Sequence, residues 1–137
     1  MPYKQLHEQF NQLFRDYLTD DVFPINTLTW NQIEQLAKDP LCTIGSHTMS
    51  HCRLIITDRE SMSYELLQSK RILEQRIGKE VRHLSYPYGG EMDVSGEVKQ
   101  FAREIGYRIV PLAGGGPIRR KDKDIDMYSL KRIAVKG

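Results

Sequence analysis

An α/β fold of parallel βαβ units is the class this sequence predicts, and three observations predict it. Short β-prone runs, "LCTIG", "VRHLSYPYGG" and "YRIVPLA", alternate with segments that carry apolar residues at helical spacing. Those intervening segments are long enough for the crossover helix that parallel strands require. The two stretches that look chemical, at His47 and at Pro87, fall at the carboxyl ends of two of the runs, the second where "VRHLSYPYGG" passes into its Pro/Gly turn. Parallel sheets and barrels collect their functional groups there.

In chain order, Leu6, Phe10, Leu13, Phe14, Tyr17 and Leu18 share one helical face, which predicts a helix over residues 3–18. "TDDVFPINT" breaks that pattern with Pro24. Thr29, with Gln32 three residues on, has capping-box spacing and opens a short helix that stops before Pro40. "LCTIG" then reads as a strand running directly into His47. Thr57 and Glu60 repeat the capping-box spacing at the head of the clearest helix, where Met62, Leu66, Leu73 and Ile77 hold one stripe and Gly78 is the stop. After the strand and turn of "VRHLSYPYGG", Val94, Val98, Phe101, Ala102 and Ile105 mark a further helix closed by Gly106. "YRIVPLA" is a third strand, "GGGPIRRKDKD" a polar loop and "SLKRIAV" a last strand.

A chain of 137 residues supports one domain with its own core: an N-terminal helix and linker over 1–27, and βα units over 28–137. Twenty basic and eighteen acidic side chains leave a net charge of +2, and the one basic cluster, "RRKDKD", is interrupted by Asp122 and Asp124. A nucleic-acid footprint needs a clustered basic face, so that class is set aside. No apolar run reaches the length of about eighteen residues that a membrane helix needs, and the amphipathic start lacks the apolar centre of a signal peptide. The compartment stays open. Cys42 and Cys52 make neither a disulfide framework nor a C-x-x-C pair.

"GSHTMSH" sets His47 and His51 four apart. On a helical turn that spacing points both rings to one side, and neutral imidazoles are good zinc ligands. Ordinary surface histidines satisfy the same spacing, and the position after a strand end is what favours a metal. "SYPYGG" is a turn by composition. Read functionally, it offers the Tyr88 backbone N–H, just after Pro87, to an anion or developing oxyanion, with Gly89 admitting a ligand closely. Arg82 is either a solvated charge or a group orienting a buried carboxylate. Trp30 reads as core rather than a sugar platform, and His7 and His83 as surface or satisfied-core residues. Cys52 reads as a small buried residue rather than a thiolate ligand.

Taken together, "LTWNQIEQLAKDPLCTIGSHTMSH", "SKRILEQRIGKEVRHLSYPYGG" and "FAREIGYRIV" with the later "LKRIAV" resemble the polysaccharide deacetylases, the NodB-homology domain of carbohydrate esterase family four. The resemblance runs from Leu28 to Val135 and rests on the joint order of H-[ST]-x-x-H and a Y-P-Y-G strand end. It implies a partial (β/α) barrel and a divalent metal, commonly zinc, held by an aspartate and by His47 and His51. Arg82 and Pro87-Tyr88-Gly89 look like the family's third motif, in which the tyrosine's backbone amide helps hold the acyl oxygen. The implied substrate is an N- or O-acetylated polysaccharide or oligosaccharide. The implied reaction removes the acetyl group, with an aspartate as base on a metal-bound water and a histidine protonating the leaving group.

The chain departs from that pattern in three places. The first motif, T-F-D-D-G, is missing. Asp20-Asp21 does not replace it, because a crossover of about a dozen residues or more must separate that motif from the histidines, and the stretch from Asp21 to His47 is already filled by a turn, a helix and a strand. No histidine follows His83, so the C-terminal L-x-x-H is missing too, and "KDIDMY" is not D-x-x-D-W. The expectation is therefore the middle and C-terminal part of a longer deacetylase, a truncated product or a fragment, that binds metal weakly and is inactive alone. A catalytically dead carbohydrate-binding or scaffolding module is the alternative, and a purely structural histidine-metal site is a third reading. A partial barrel leaves strand edges unpaired, so a homodimer is expected. For the longer protein a secreted or cell-envelope location is left open.

Overall fold

The computed structural model of the protein describes residues 27–119 and 122–133, together with Gln5, Glu8, Gln9 and Gln12. Those four isolated positions are helical and exposed. The rest of the helix expected over 3–18, His7, the linker that follows and the end of the last expected strand lie outside the described residues.

Helix α1, Trp30–Leu36, begins where the sequence places it. Gln32 donates its backbone N–H to the Thr29 hydroxyl at 3.4 Å while the Thr29 N–H reaches the Gln32 side chain at 2.8 Å, closing the capping box. Helix α2, Arg59–Ile77, begins one residue later than the Thr57 spacing implies. Asp58 is its cap and accepts the Ser61 N–H at 2.8 Å, whereas the Thr57 hydroxyl donates backward to the Leu54 carbonyl at 2.7 Å. An ionised carboxylate at the positive end of a helix is the stronger acceptor, and Thr57 is already engaged by the preceding 3-10 turn, Leu54–Ile56. Gly78 stops α2 in the left-handed region at φ 66°. Helix α3, Gly96–Ile105, is capped by Ser95 and ended by Gly106 at φ 96°.

Four extended segments lie side by side, all parallel. Ser46 bridges Leu84, His83 bridges Ile109, and β1, Pro111–Gly115, pairs with β2, Leu130–Arg132, across a bulge. Helix α2 connects the first segment to the second and α3 the second to the third, which is the βαβ order expected. The first expected strand shrinks to the single bridge at Ser46 and the second to the two bridges at His83 and Leu84. Ser46 is pinned to the second segment, donating its N–H to the His83 carbonyl at 2.8 Å and accepting from the Ser85 N–H at 2.9 Å.

The core lies between the sheet and the two long helices. Met62 and Leu66 of α2, Val98, Phe101 and Ala102 of α3, and Val81, Leu84, Tyr86, Val110 and Leu112 of the segments are buried together with Cys52 and Leu54. Each fully buried aliphatic side chain there contributes roughly 1.5–3 kcal/mol. Helix α1 buries no residue and stays outside this cluster. Trp30 is accordingly 38% exposed rather than core, and the Arg76 guanidinium of α2 lies 5.0 Å over its ring.

Candidate functional site at the carboxyl ends of the segments

His47 is the first residue beyond the Ser46 bridge. Ser46 is buried, and its hydroxyl meets that of Ser69 on α2 at 2.7 Å, so the chain is fixed just before it leaves the sheet. His47 then reaches across the end of the next segment, where its Nδ1 lies 2.7 Å from the Ser85 carbonyl oxygen. A carbonyl only accepts, so Nδ1 donates, and in the neutral ring Nε2 is the atom with the lone pair.

The residues after His47 do not form the helical turn that the four-residue spacing implies. Thr48 is left-handed at φ 68° and His51 at φ 56°, and between them the amides of Met49 and Ser50 both donate to the Glu65 carboxylate at 2.9 Å. This hairpin-like reversal nevertheless brings the rings together. Their centroids are 4.7 Å apart with planes at 74°. His51 also packs edgewise on Tyr88, centroid to centroid 5.2 Å, so it stands between His47 and the second motif.

Tyr88 is the middle residue of a γ-turn, with φ 64° and the Gly89 N–H donating to the Pro87 carbonyl at 2.7 Å. Pro87 is buried beneath it, whereas the Tyr88 side chain is 58% exposed. Among the described residues no acceptor takes the Tyr88 N–H. Packing also demands glycine at position 89. A Cβ there would stand 2.7 Å from the Ala113 nitrogen, so the close neighbour is strand β1, held by the Ala113 N–H donating to the Gly89 carbonyl at 2.8 Å.

Three non-glycine residues have positive φ among those described, Thr48, His51 and Tyr88, and all three are at this place. Such conformations cost about 1–3 kcal/mol each and persist where the surroundings enforce them, typically at functional sites. The Thr48 hydroxyl is buried without a hydrogen-bond partner among the described residues.

Arg82 does not join this group. It precedes the His83 bridge, at the amino end of its segment, and pairs with Glu80 at 2.6 Å with both side chains about half exposed. It is the solvated charge of the two readings. His83 is built into the sheet through its bridge to Ile109. Cys52 is buried in the core, as its size implies.

Two features escaped the sequence reading. Glu65 is a buried carboxylate on α2 whose only local signal is an acid on the apolar stripe between Met62 and Leu66. Arg53 joins Asp93 at 2.8 Å and lies 5.2 Å over the Tyr88 ring, tying the histidine loop to the 3-10 turn Glu91–Asp93.

His47 with its Nδ1 anchored to a carbonyl has the supporting bond typical of metal-binding histidines, and His51 beside it supplies a second imidazole. The pair thus fits the donor chemistry of zinc or a similar ion. Among the described residues no group of three histidine, cysteine or acidic side chains is assembled.

A Polysaccharide deacetylase family profile matches residues 8–110, which include both histidines and the Pro-Tyr-Gly turn. The chain belongs to the polysaccharide deacetylase family. Its structure is similar to the Streptococcus pyogenes deacetylase PplD solved with acetate, at TM-score 0.70 and 19% identity over 84% of this chain and 48% of that one. It is similar also to a putative polysaccharide deacetylase of Bacillus anthracis, at TM-score 0.67 and 22% identity over 86% and 40%. A Bacillus cereus polysaccharide deacetylase matches at TM-score 0.67 and 23% identity over 90% and 42%. No curated protein matches significantly in sequence. The deacetylase domain is therefore a partial (β/α) barrel of parallel segments and helices, and it spans less than half the length of these solved relatives. No helix among its described residues is long and apolar enough to cross a membrane.

Proposed function

We propose that this chain is the part of a metal-dependent polysaccharide deacetylase that carries two metal-binding histidines and one oxyanion donor, and that the longer enzyme removes acetyl groups from N- or O-acetylated polysaccharide. The observation that carries this reading is the apposition of the His47 and His51 rings, at 4.7 Å, beside a Tyr88 amide that no acceptor takes among the described residues, in a member of this family. His47 and His51 hold a divalent cation, zinc or one like it. That cation, when bound, polarises the acetyl carbonyl and lowers the pKa of a coordinated water. The Tyr88 N–H donates to the acyl oxygen as negative charge develops on it, and Pro87 fixes the direction of that amide. The exposed Tyr88 ring, with Arg53 above it, lies against the polysaccharide.

The chain alone is inactive. Two imidazoles fall short of the three protein ligands usual at catalytic zinc, so the cation is held weakly. The base and the acid of the reaction, each worth about 10²–10⁴-fold in rate, lie in motifs that this sequence lacks. The alternative function, a sugar-binding module without chemistry, uses the same exposed Tyr88 and differs in needing no metal. The partial barrel pairs as a homodimer, a reading supported by the exposed apolar side chains of Leu41, 95% exposed, and Ile56, 71% exposed.

The test uses the purified chain with zinc or cobalt. Metal binding is expected, lost in His47→Ala, with no acetate released from chitooligosaccharide or acetylated xylan. Release of acetate that disappears in His47→Ala would overturn the inactivity. Sugar binding unchanged by chelator, with no metal bound at all, would favour the module. Sedimentation at micromolar concentration decides the dimer, and a monomer would refute it.

A further inference from the structure

Glu65 is 3% exposed on α2, on the face that also buries Met62, Leu66 and Ser69. Its Oε2 accepts the Met49 and Ser50 amides at 2.9 Å, and its Oε1 accepts the Ser50 hydroxyl at 2.7 Å. All three bonds end on the two residues midway between His47 and His51. Burying a carboxylate is costly, and an apolar residue of similar size would fill the same space more cheaply. What the glutamate adds is a fixed position for two consecutive amides. Its neighbours in the loop, Thr48 and His51, are both left-handed and relax unless something holds them.

We infer that Glu65 is a positioning residue, whose carboxylate acts through Met49 and Ser50 to set the facing of the His47 and His51 rings before any cation arrives. The consequence for metal affinity rests on the metal reading of the pair; the structural half does not. Preorganisation of this kind lets the cation bind without first ordering the loop.

The experiment compares the full chain with Glu65→Gln and Ser50→Ala. In metal-free protein it measures the Met49 and Ser50 amide exchange rates and the nuclear Overhauser contact between the two histidine rings. Zinc affinity is measured by calorimetry. Glu65→Gln is expected to speed exchange of the two amides by roughly tenfold or more while α3 stays protected, and to erase the ring contact. Zinc affinity should fall about 10- to 100-fold, as when other outer-shell partners are lost. Ser50→Ala loses one bond of three, leaves α2 untouched, and should show the same changes in smaller measure even if Glu65→Gln fails to fold. Unchanged exchange and ring contact in the folded variants would overturn the inference, as would a loss of zinc affinity without them. If the wild-type chain binds no zinc, the metal reading falls, and the exchange and ring-contact arms still decide the role of Glu65.

Discussion

His47 donates its Nδ1 proton to the Ser85 carbonyl across 2.7 Å, so the second parallel segment fixes the tautomer of a residue that ends the first. That single bond leaves Nε2 as the donor atom, beside His51. His47→Ala and His51→Ala should each lower zinc affinity about as much as the double substitution does, because a ligand pair that acts as a unit is non-additive. Both side chains are exposed, so neither change should cost the metal-free fold more than about 1 kcal/mol. Calorimetric titration and urea unfolding of the three variants check this, and simple additivity would count against a shared ion.

Thr48 is a β-branched residue held at φ 68°, with a buried hydroxyl that lacks a partner among the described residues. Thr48→Gly removes both penalties at the cost of a looser unfolded chain. A net stabilisation of roughly 1 kcal/mol is expected, from strain of about 1–3 kcal/mol less a glycine entropy cost of about 0.5–1 kcal/mol. A urea midpoint that falls instead of rising would show that the conformation is not strained.

Gly89 and Gly106 are both left-handed, but only Gly89 is crowded, since nothing stands within 4 Å of a Cβ at Gly106. Gly106→Ala should therefore cost the conformational penalty alone, about 1–2 kcal/mol. Gly89→Ala should cost that plus roughly 1–3 kcal/mol for displacing Ala113 and β1. Equal losses in equilibrium unfolding would mean that β1 yields freely.

Asp126 accepts from the Ser129 hydroxyl at 2.6 Å, from Lys99 at 2.9 Å and from the Tyr128 N–H at 2.9 Å. These bonds, the Ser129 one foremost, hold its carboxyl down from 3.8 to about 2. A carboxyl depressed in the folded state stabilises above its unfolded value and loses that contribution as pH falls through the folded one. The loss should thus fall between about pH 4 and pH 2, and Asp126→Asn should flatten that part of the stability profile. The group is 45% exposed, so added salt should shrink the effect. An unchanged acid limb in Asp126→Asn would refute it.

The elements that could be read in the sequence were those whose cause is local. The Thr29 capping box, the apolar stripes of α2 and α3, and the left-handed stops at Gly78 and Gly106 each depend on residues within one or two turns. Local signals misled where two compete: Asp58 took the cap that Thr57 also could fill. They misled again where tertiary packing decides: α1 stays outside the core, so Trp30 lies at the surface under Arg76, and Arg82 pairs with Glu80 at the amino end of its segment.

For the site, sequence determined which residues stand at the carboxyl ends of the segments, because βα alternation and turn chemistry are written in short stretches of chain. The spacing of His47 and His51 put their rings within reach of one another, although not by the helical turn it suggests. Only the tertiary structure decided how: through Ser85 on the neighbouring segment, 38 residues on, through Glu65 on the crossover helix, and through β1 against Gly89. Those contacts join residues far apart along the chain, where a backbone carbonyl or a lone acid on an apolar stripe leaves no periodic trace. The geometry of the histidines is fixed by the packing of three segments, and no single segment encodes it.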